Sequence, residues 1–188
     1  MLVVLGMLAG CHKYNNLVEL DATCDEKWAN IEAQLQRRYD LIPNLVKVVK
    51  AQAKFEGDTL TKITEARASA TSIKMTADDL TDPAKFEAFQ RAQDRLSGSL
   101  SRLMVASENY PELKANTAFH DLRVELEGTE NRLLRSREEY NGAVKNYNAE
   151  IRKVGGTIIN DMTGKAFKPR VFFSASAEAK SGAPQVDL

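Results

Sequence analysis

Leu8-Ala9-Gly10-Cys11 is the stretch whose residue types and spacing prescribe a covalent reaction. An apolar run from Met1 to Gly10 closes on two small residues and a cysteine, which is how a bacterial lipoprotein signal ends. Lipidation of the Cys11 thiol would make it the mature N-terminus and tie all that follows to a membrane. No Lys or Arg precedes Lys13, so the basic start of a secretory signal is missing from this stretch. The run is also shorter than the about 20 apolar residues that span a bilayer. A lipid on Cys11 is the expectation, with an unprocessed or truncated apolar membrane anchor as the alternative. In a Gram-negative producer, His12 in place of an aspartate after the cysteine favours the outer membrane, facing the periplasm.

Other chemistry-bearing side chains are sparse. His12 and His120 are the two histidines, and neither stands in the His-Glu-x-x-His or Glu-x-x-His spacing of helical metal ligands. There is no Gly-rich phosphate loop and no Gly-x-Ser-x-Gly elbow; Gly155-Gly156 fits a helix stop better. With Cys11 assigned to lipid, Cys24 has no disulfide partner and reads as a small buried apolar residue. No catalytic residue, metal or cofactor is assigned, and the expectation is a protein that is not an enzyme. Lys+Arg and Asp+Glu balance at 26 each, so no net field steers the chain toward nucleic acid.

The elements that must position any site are helices. Five prolines and ten glycines interrupt the chain at only a few places. Apolar or small residues recur at steps of three and four on Leu17, Cys24, Trp28, Ile31, Leu35 and Ile42, a seam broken by Asp21. A second seam carries Leu45, Val49, Ala53, Leu60, Ile63, Ala66 and Ala70. A third carries Phe86, Phe89, Leu96, Leu100 and Leu103. The fourth runs through Phe119, Leu122, Leu126, Leu133, Tyr140, Val144, Tyr147 and Ile151.

The breaks between seams carry recognisable signals. Arg37-Arg38 places cations on a helix's last turn, Asp40 then serves as an N-cap, and Pro43 falls in the next first turn. This predicts a tight αα-corner, with a continuous helix kinked at Pro43 as the other arrangement. Asp82-Pro83 opens the third helix, Tyr110-Pro111 stops it, and Asn116 or Thr117 caps the fourth. Arg152, Lys153 and the two glycines end it. Helices of about 27, 30, 25 and 37 residues would run about 40 to 55 Å. Short connections make neighbours antiparallel, so the expected fold is an all-α, up-down-up-down four-helix bundle. It would span residues 12–156, after a signal or anchor at 1–11 and before an irregular tail at 157–188. Within that tail, Val171-Phe172-Phe173 is an apolar knot that either packs back on the bundle or docks a partner.

Several runs together resemble the LemA family. They are Tyr14-Asn15-x-Leu17-Val18, Trp28, and Arg37-Arg38-Tyr39-Asp40-Leu41-Ile42-Pro43-Asn44-Leu45-Val46, followed by Ala66-Arg67. Glu108-x-Tyr110-Pro111-x-Leu113-Lys114-Ala115-Asn116, Thr129-Glu130, Arg137-x-x-Tyr140-Asn141, Tyr147-Asn148 and Pro184-x-Val186-Asp187 continue the likeness in order. The resemblance implies a bacterial membrane-associated protein whose apolar N-terminal segment anchors an antiparallel helical bundle outside the cytoplasm. It implies no established reaction. Many members begin with a full transmembrane helix, and this chain departs from them with a short run closed by Cys11.

The polar residues of these motifs admit two roles. Arg67, Glu130 and Arg137 either form a buried charge network that fixes helix register or line a groove that binds a carboxylate-bearing ligand. Tyr140 and Asn141 divide similarly, with the ring on the seam and the amide at its rim. Apolar residues off the seams, Val18, Val46, Val48 and Met104, together with Phe172 and Phe173, are candidate partner contacts. The leading expectation is a membrane-tethered envelope scaffold or adaptor for another envelope protein. The alternative is an envelope sensor that binds a small molecule or peptide between helices.

Overall fold

A computed structural model of the chain describes residues 2–51, 57–153 and 167–174, and of residues 2–11 it describes only the helical backbone. The elements are α1 (Leu2–Lys50), α2 (Gly57–Ser72), α3 (Pro83–Ser107), the single turn α4 (Pro111–Lys114) and α5 (Thr117–Arg152), with a 3-10 turn at Asp79–Thr81. Among the described residues all regular structure is helical.

Helix α1 passes straight through Pro43, so the predicted corner does not form. The reason lies in the seam. Leu35, Arg38, Ile42, Leu45 and Val49 are all buried, and their steps of three and four keep phase across the proline. Pro43 itself lies on the exposed face, where its ring disturbs no packing. Asp40 is therefore not a cap; it accepts a hydrogen bond from Gln36 Nε2 one turn earlier, at 2.8 Å. Arg37 and Arg38 lie mid-helix rather than in a last turn. The other boundaries follow their capping chemistry. Asp82 Oδ1 accepts from the amides of Ala84 and Lys85 at 2.9 and 3.2 Å, with Pro83 in the first turn. Asn116 Oδ1 accepts from the Phe119 amide at 3.1 Å. Gly155 and Gly156 lie outside the described residues.

Contacts between α1 and α5 run in opposite order along the two helices. Lys13 meets Glu150 at 3.3 Å and Lys27 meets Glu139 at 3.5 Å. Farther along, Gln34 meets Arg132 at 3.1 Å and Arg37 meets Glu125 at 2.6 Å. Helix α2 lies along α3. The core divides into two apolar clusters. One gathers Trp28, Phe86, Phe89, Tyr140 and Phe173 with aliphatic residues of α1 and α5. The other gathers Leu45, Ile63, Leu96, Leu103, Phe119 and Leu126 with their neighbours. Between them lies a polar layer.

Candidate functional site

Three helices place a polar residue on their seams at this level. Arg38 stands between Leu35 and Ile42 on α1, Gln93 between Phe89 and Leu96 on α3, and buried Thr129, with Glu130 beside it, between Leu126 and Leu133 on α5. Arg137 follows two turns on, between Leu133 and Tyr140 of the first cluster. Arg38 is fully buried. Its Nη1 donates to Ser97 Oγ and to Glu130 Oε1, both at 3.0 Å, and its Nη2 donates to Gln93 Oε1. Ser97 Oγ also donates to Glu130 Oε2 at 3.1 Å. Burying a guanidinium is costly unless its charge and donors are met, and here two oxygens and a carboxylate meet most of them. Gln93 Nε2 donates to the Tyr39 hydroxyl at 2.8 Å, and that hydroxyl donates to the Ala70 carbonyl at 3.3 Å. Ala70 lies in the last turn of α2, where carbonyls have no partner within the helix, so the layer also closes that end.

Arg67 joins the layer through the backbone. Its Nε donates to the Tyr39 carbonyl at 2.9 Å. In an unbroken helix that carbonyl would bond the amide of residue 43, which proline lacks. Arg137 faces Asp94 at 3.6 Å and stacks over the Phe173 ring at 4.9 Å. Burial presses its guanidinium below the usual arginine range, Asp94 opposes that shift, and Arg38 adds to it. It remains charged at any physiological pH. Arg38 and Glu130 are paired directly, whereas Arg67 bonds the Tyr39 backbone and Arg137 faces Asp94, so separate fastenings stand where a network of Arg67, Glu130 and Arg137 was expected.

Arg37, Asp40 and Asn44 are not part of that layer and lie on the exposed face of α1. Glu130 alone of the four reaches an open groove, of about 530 Å³, which it shares with Glu127, Ser97 and Asn131. Both carboxylates of that groove are already paired, Glu130 with Arg38 and Glu127 with Arg123.

A second constellation holds residues 167–174 against α3 and α5. Asn148 Oδ1 accepts from the Arg170 amide at 2.9 Å and its Nδ2 donates to the Arg170 carbonyl at 2.8 Å. Asn141 does the same for Phe173, at 2.9 and 3.0 Å. Gln90 accepts from the Ser174 amide at 3.2 Å and donates to its carbonyl at 2.7 Å. The Leu80 carbonyl accepts from the Val171 amide at 2.9 Å. Seven residues of helix advance about 10.5 Å. Three residues of non-helical chain advance about 9 to 10 Å, which is why amides spaced by seven can grip residues spaced by three.

Two side chains of this strap are anchors. Arg170 is buried against Asp21 at 2.8 Å and Asp25 at 2.7 Å, and lies over the Tyr147 ring at 5.6 Å. Burial works against its charge, but the hydrogen bonds it donates to Asp21 and Asp25 outweigh that and raise its pKa. Asp21 thereby explains the break in the α1 seam. Phe173 is buried, with its ring 4.8 Å from Phe86, 5.8 Å from Tyr140 and 6.1 Å from Trp28 between centroids.

The expected partner contacts therefore separate. Phe173 is a core residue and is not free to meet a partner, whereas its neighbour Phe172 is 43% exposed. Val48, Val46 and Met104 are half-buried against the second apolar cluster, because the bundle closes over positions just beside the seams. Val18 is exposed, as are Val105, Val124 and Leu134, which the seam reasoning passed over. The Cys11 side chain lies outside the described residues. Among the described residues no helix is long and apolar enough to cross a membrane, and no group of acidic, His and Cys side chains is placed to hold a metal ion.

Arg38, Tyr39, Arg67, Glu130, Arg137, Asn141 and Asn148 among these fastenings are motif residues quoted above, and residues 27–188 match the LemA family. The chain belongs to the LemA family. This LemA-family chain is also similar to two magnetosome proteins, MamQ 2 and MamQ 1 of Paramagnetospirillum magneticum. Each is 27% identical over 177 residues, covering 86% of this chain and 64% of theirs. MamQ of Magnetospirillum gryphiswaldense is 26% identical over 157 residues, covering 75% of this chain and 58% of its own length. The chain thus spans less than two thirds of these relatives.

Proposed function

We propose that the protein is a non-catalytic scaffold or adaptor of the bacterial cell envelope, tethered to a membrane by a lipid on Cys11 or an apolar anchor around it. The membrane-facing half of this reading rests on membership of the LemA family and on the Leu8-to-Cys11 stretch. The bundle is read as an antiparallel, up-down-up-down arrangement in which continuous α1 and α5 form one pair and α2 and α3 the other. It is exposed outside the cytoplasm, facing the periplasm of a Gram-negative cell and favouring its outer membrane.

One observation carries the adaptor reading. The polar motif residues Arg38, Arg67, Glu130, Arg137 and Asn141 are bonded within the protein, fastening helices and strap. A rigid body so fastened offers its partners an outer surface, on which Val105, Val124, Leu134 and Phe172 are exposed apolar residues. In-cell photocrosslinking from positions 134 and 172, with the native anchor retained, tests this. The same envelope protein captured reproducibly supports it; no capture from either site by folded, membrane-bound protein opposes it. Labelled palmitate incorporated by the native chain and lost in Cys11→Ser tests the tether.

The groove beside Glu130 favours a second reading, an envelope sensor. Glu127, Glu130 and Asn131 line its polar side, and Leu100, Met104 and Leu126 its apolar side. Its lining suits a small ligand with a hydrogen-bonding group carried on an apolar body.

A further inference from the structure

Residues 167–174 are held as a peptide would be. Each side-chain amide of Asn148, Asn141 and Gln90 meets both the N–H and the C=O of one strap residue. Such bonds read backbone and are indifferent to which chain supplies it. Selectivity comes from two side-chain anchors, Arg170 between Asp21 and Asp25, and Phe173 among Trp28, Phe86 and Tyr140.

From this we infer that the groove is an exchange site, which takes residues 167–174 of a second copy of this chain in place of its own. The partners just named lie on α1, α3 and α5, none closer in sequence than the 22 residues between Asn148 and Arg170. The same contacts are therefore available to a strap arriving from another molecule. Thirteen residues, 154–166, separate the last described residue of α5 from the strap. A span of that length reaches at most about 45 Å, enough to cross to a copy lying alongside. Reciprocal exchange is two-fold symmetric, since each copy gives one strap and receives one. It loses none of these contacts, so concentration decides between the closed and exchanged forms. Phe172 remains exposed in the closed chain immediately beside the groove, an apolar ring that intramolecular packing leaves uncovered. The inference stands apart from the adaptor reading, and either can fail without the other.

The experiment uses the full chain in lipid vesicles, in a Cys24→Ala background. One copy carries Gln90→Cys and the other Ser174→Cys, positions whose native side chains meet at 3.2 Å. A short thiol-to-thiol crosslinker then joins the two copies through positions 90 and 174 only if a strap has crossed. Its reach makes up for the length lost when Gln90 becomes Cys, and peptide mass spectrometry of the 90–174 link sets aside any product through Cys11. The expected result is a mixed 90–174 crosslinked dimer whose yield rises with surface density and exceeds, by at least about tenfold, that of a control pair using Ser101→Cys in place of Gln90→Cys. Adding Phe173→Ala to the Ser174→Cys copy should abolish the product, because the anchor is lost. A mixed dimer no more abundant than the control, or one that survives Phe173→Ala, overturns the exchange.

Discussion

Pro43 and Arg67 meet at one carbonyl. The proline removes the amide that would bond Tyr39 in α1, and Arg67 Nε from α2 donates to that oxygen at 2.9 Å. A helix defect is thereby turned into a tie between two helices. Replacing Arg67 with Met leaves the carbonyl without its donor and should cost about 1 to 3 kcal/mol in urea unfolding. In a Pro43→Ala background residue 43 supplies the amide itself, so the cost should shrink by at least about 1 kcal/mol. A double-mutant cycle reads this coupling, and additive effects would break the link between the two residues.

The strap makes neighbours differ. Phe173→Ala empties a site packed by Trp28, Phe86 and Tyr140 and should cost about 3 to 5 kcal/mol. Phe172→Ala removes an exposed ring and should stay within about 0.5 kcal/mol. Equal losses in thermal melts of the two variants would contradict the placement.

The structure assigns part of the acid limb of stability to Asp79. Its carboxylate accepts from Lys85 Nζ at 2.5 Å and from the Thr76 amide and hydroxyl at 2.9 and 2.8 Å. The Lys85 bond first, then the Thr76 bonds, lower its pKa from 3.8 to about 2. A carboxylate with a depressed folded-state pKa stabilises above its ordinary value, and that contribution fades as pH falls through the lowered one. Between about pH 4 and pH 2 the native chain should therefore lose more stability than Asp79→Asn, as melts across that range will show. Parallel curves for the two proteins would remove Asp79 from the account.

Cys24 should be chemically quiet. Burial pushes its thiol up to about 11, and the nearby Arg170 only partly offsets this. Because the thiolate is the reactive form, a thiol reagent at neutral pH should modify Cys24 only as fast as the chain opens. Labelling of folded protein at the rate of a free thiol would show the α1 seam to be open there.

Much of the polar layer was already visible as gaps in the helical seams. Leu35 to Ile42, Phe89 to Leu96 and Leu126 to Leu133 each leave out one seam position, and Arg38, Gln93 and Thr129 fill them. Arg38 was instead expected as a helix-end cation because Asp40 and Pro43 together imitate a helix start. The unbroken phase from Leu35 to Val49 was the contrary signal, and packing outweighed the local one. The strap was less legible. Asn141 and Asn148 share a helix face, and Asp21 interrupts an apolar seam, but their partners Phe173 and Arg170 lie 32 and 149 residues away. No local periodicity encodes that pairing. Phe172 and Phe173 are adjacent and alike in type, so only the fold could send one inward and the other out.

The most direct test of the claim that motif charges fasten the helices is the urea unfolding midpoint of Glu130→Gln beside Glu127→Gln. Glu130 receives Arg38 and Ser97, whereas Glu127 pairs with Arg123 one turn away on the surface. Losing the Glu130 charge leaves the fully buried Arg38 under-compensated and should cost about 1.5 to 3 kcal/mol, toward the lower figure because Glu130 is 35% exposed. Glu127→Gln should change stability by no more than about 0.5 kcal/mol. An unchanged midpoint for Glu130→Gln, with Glu127→Gln behaving as expected, would contradict the structural role and return Glu130 to the groove it borders.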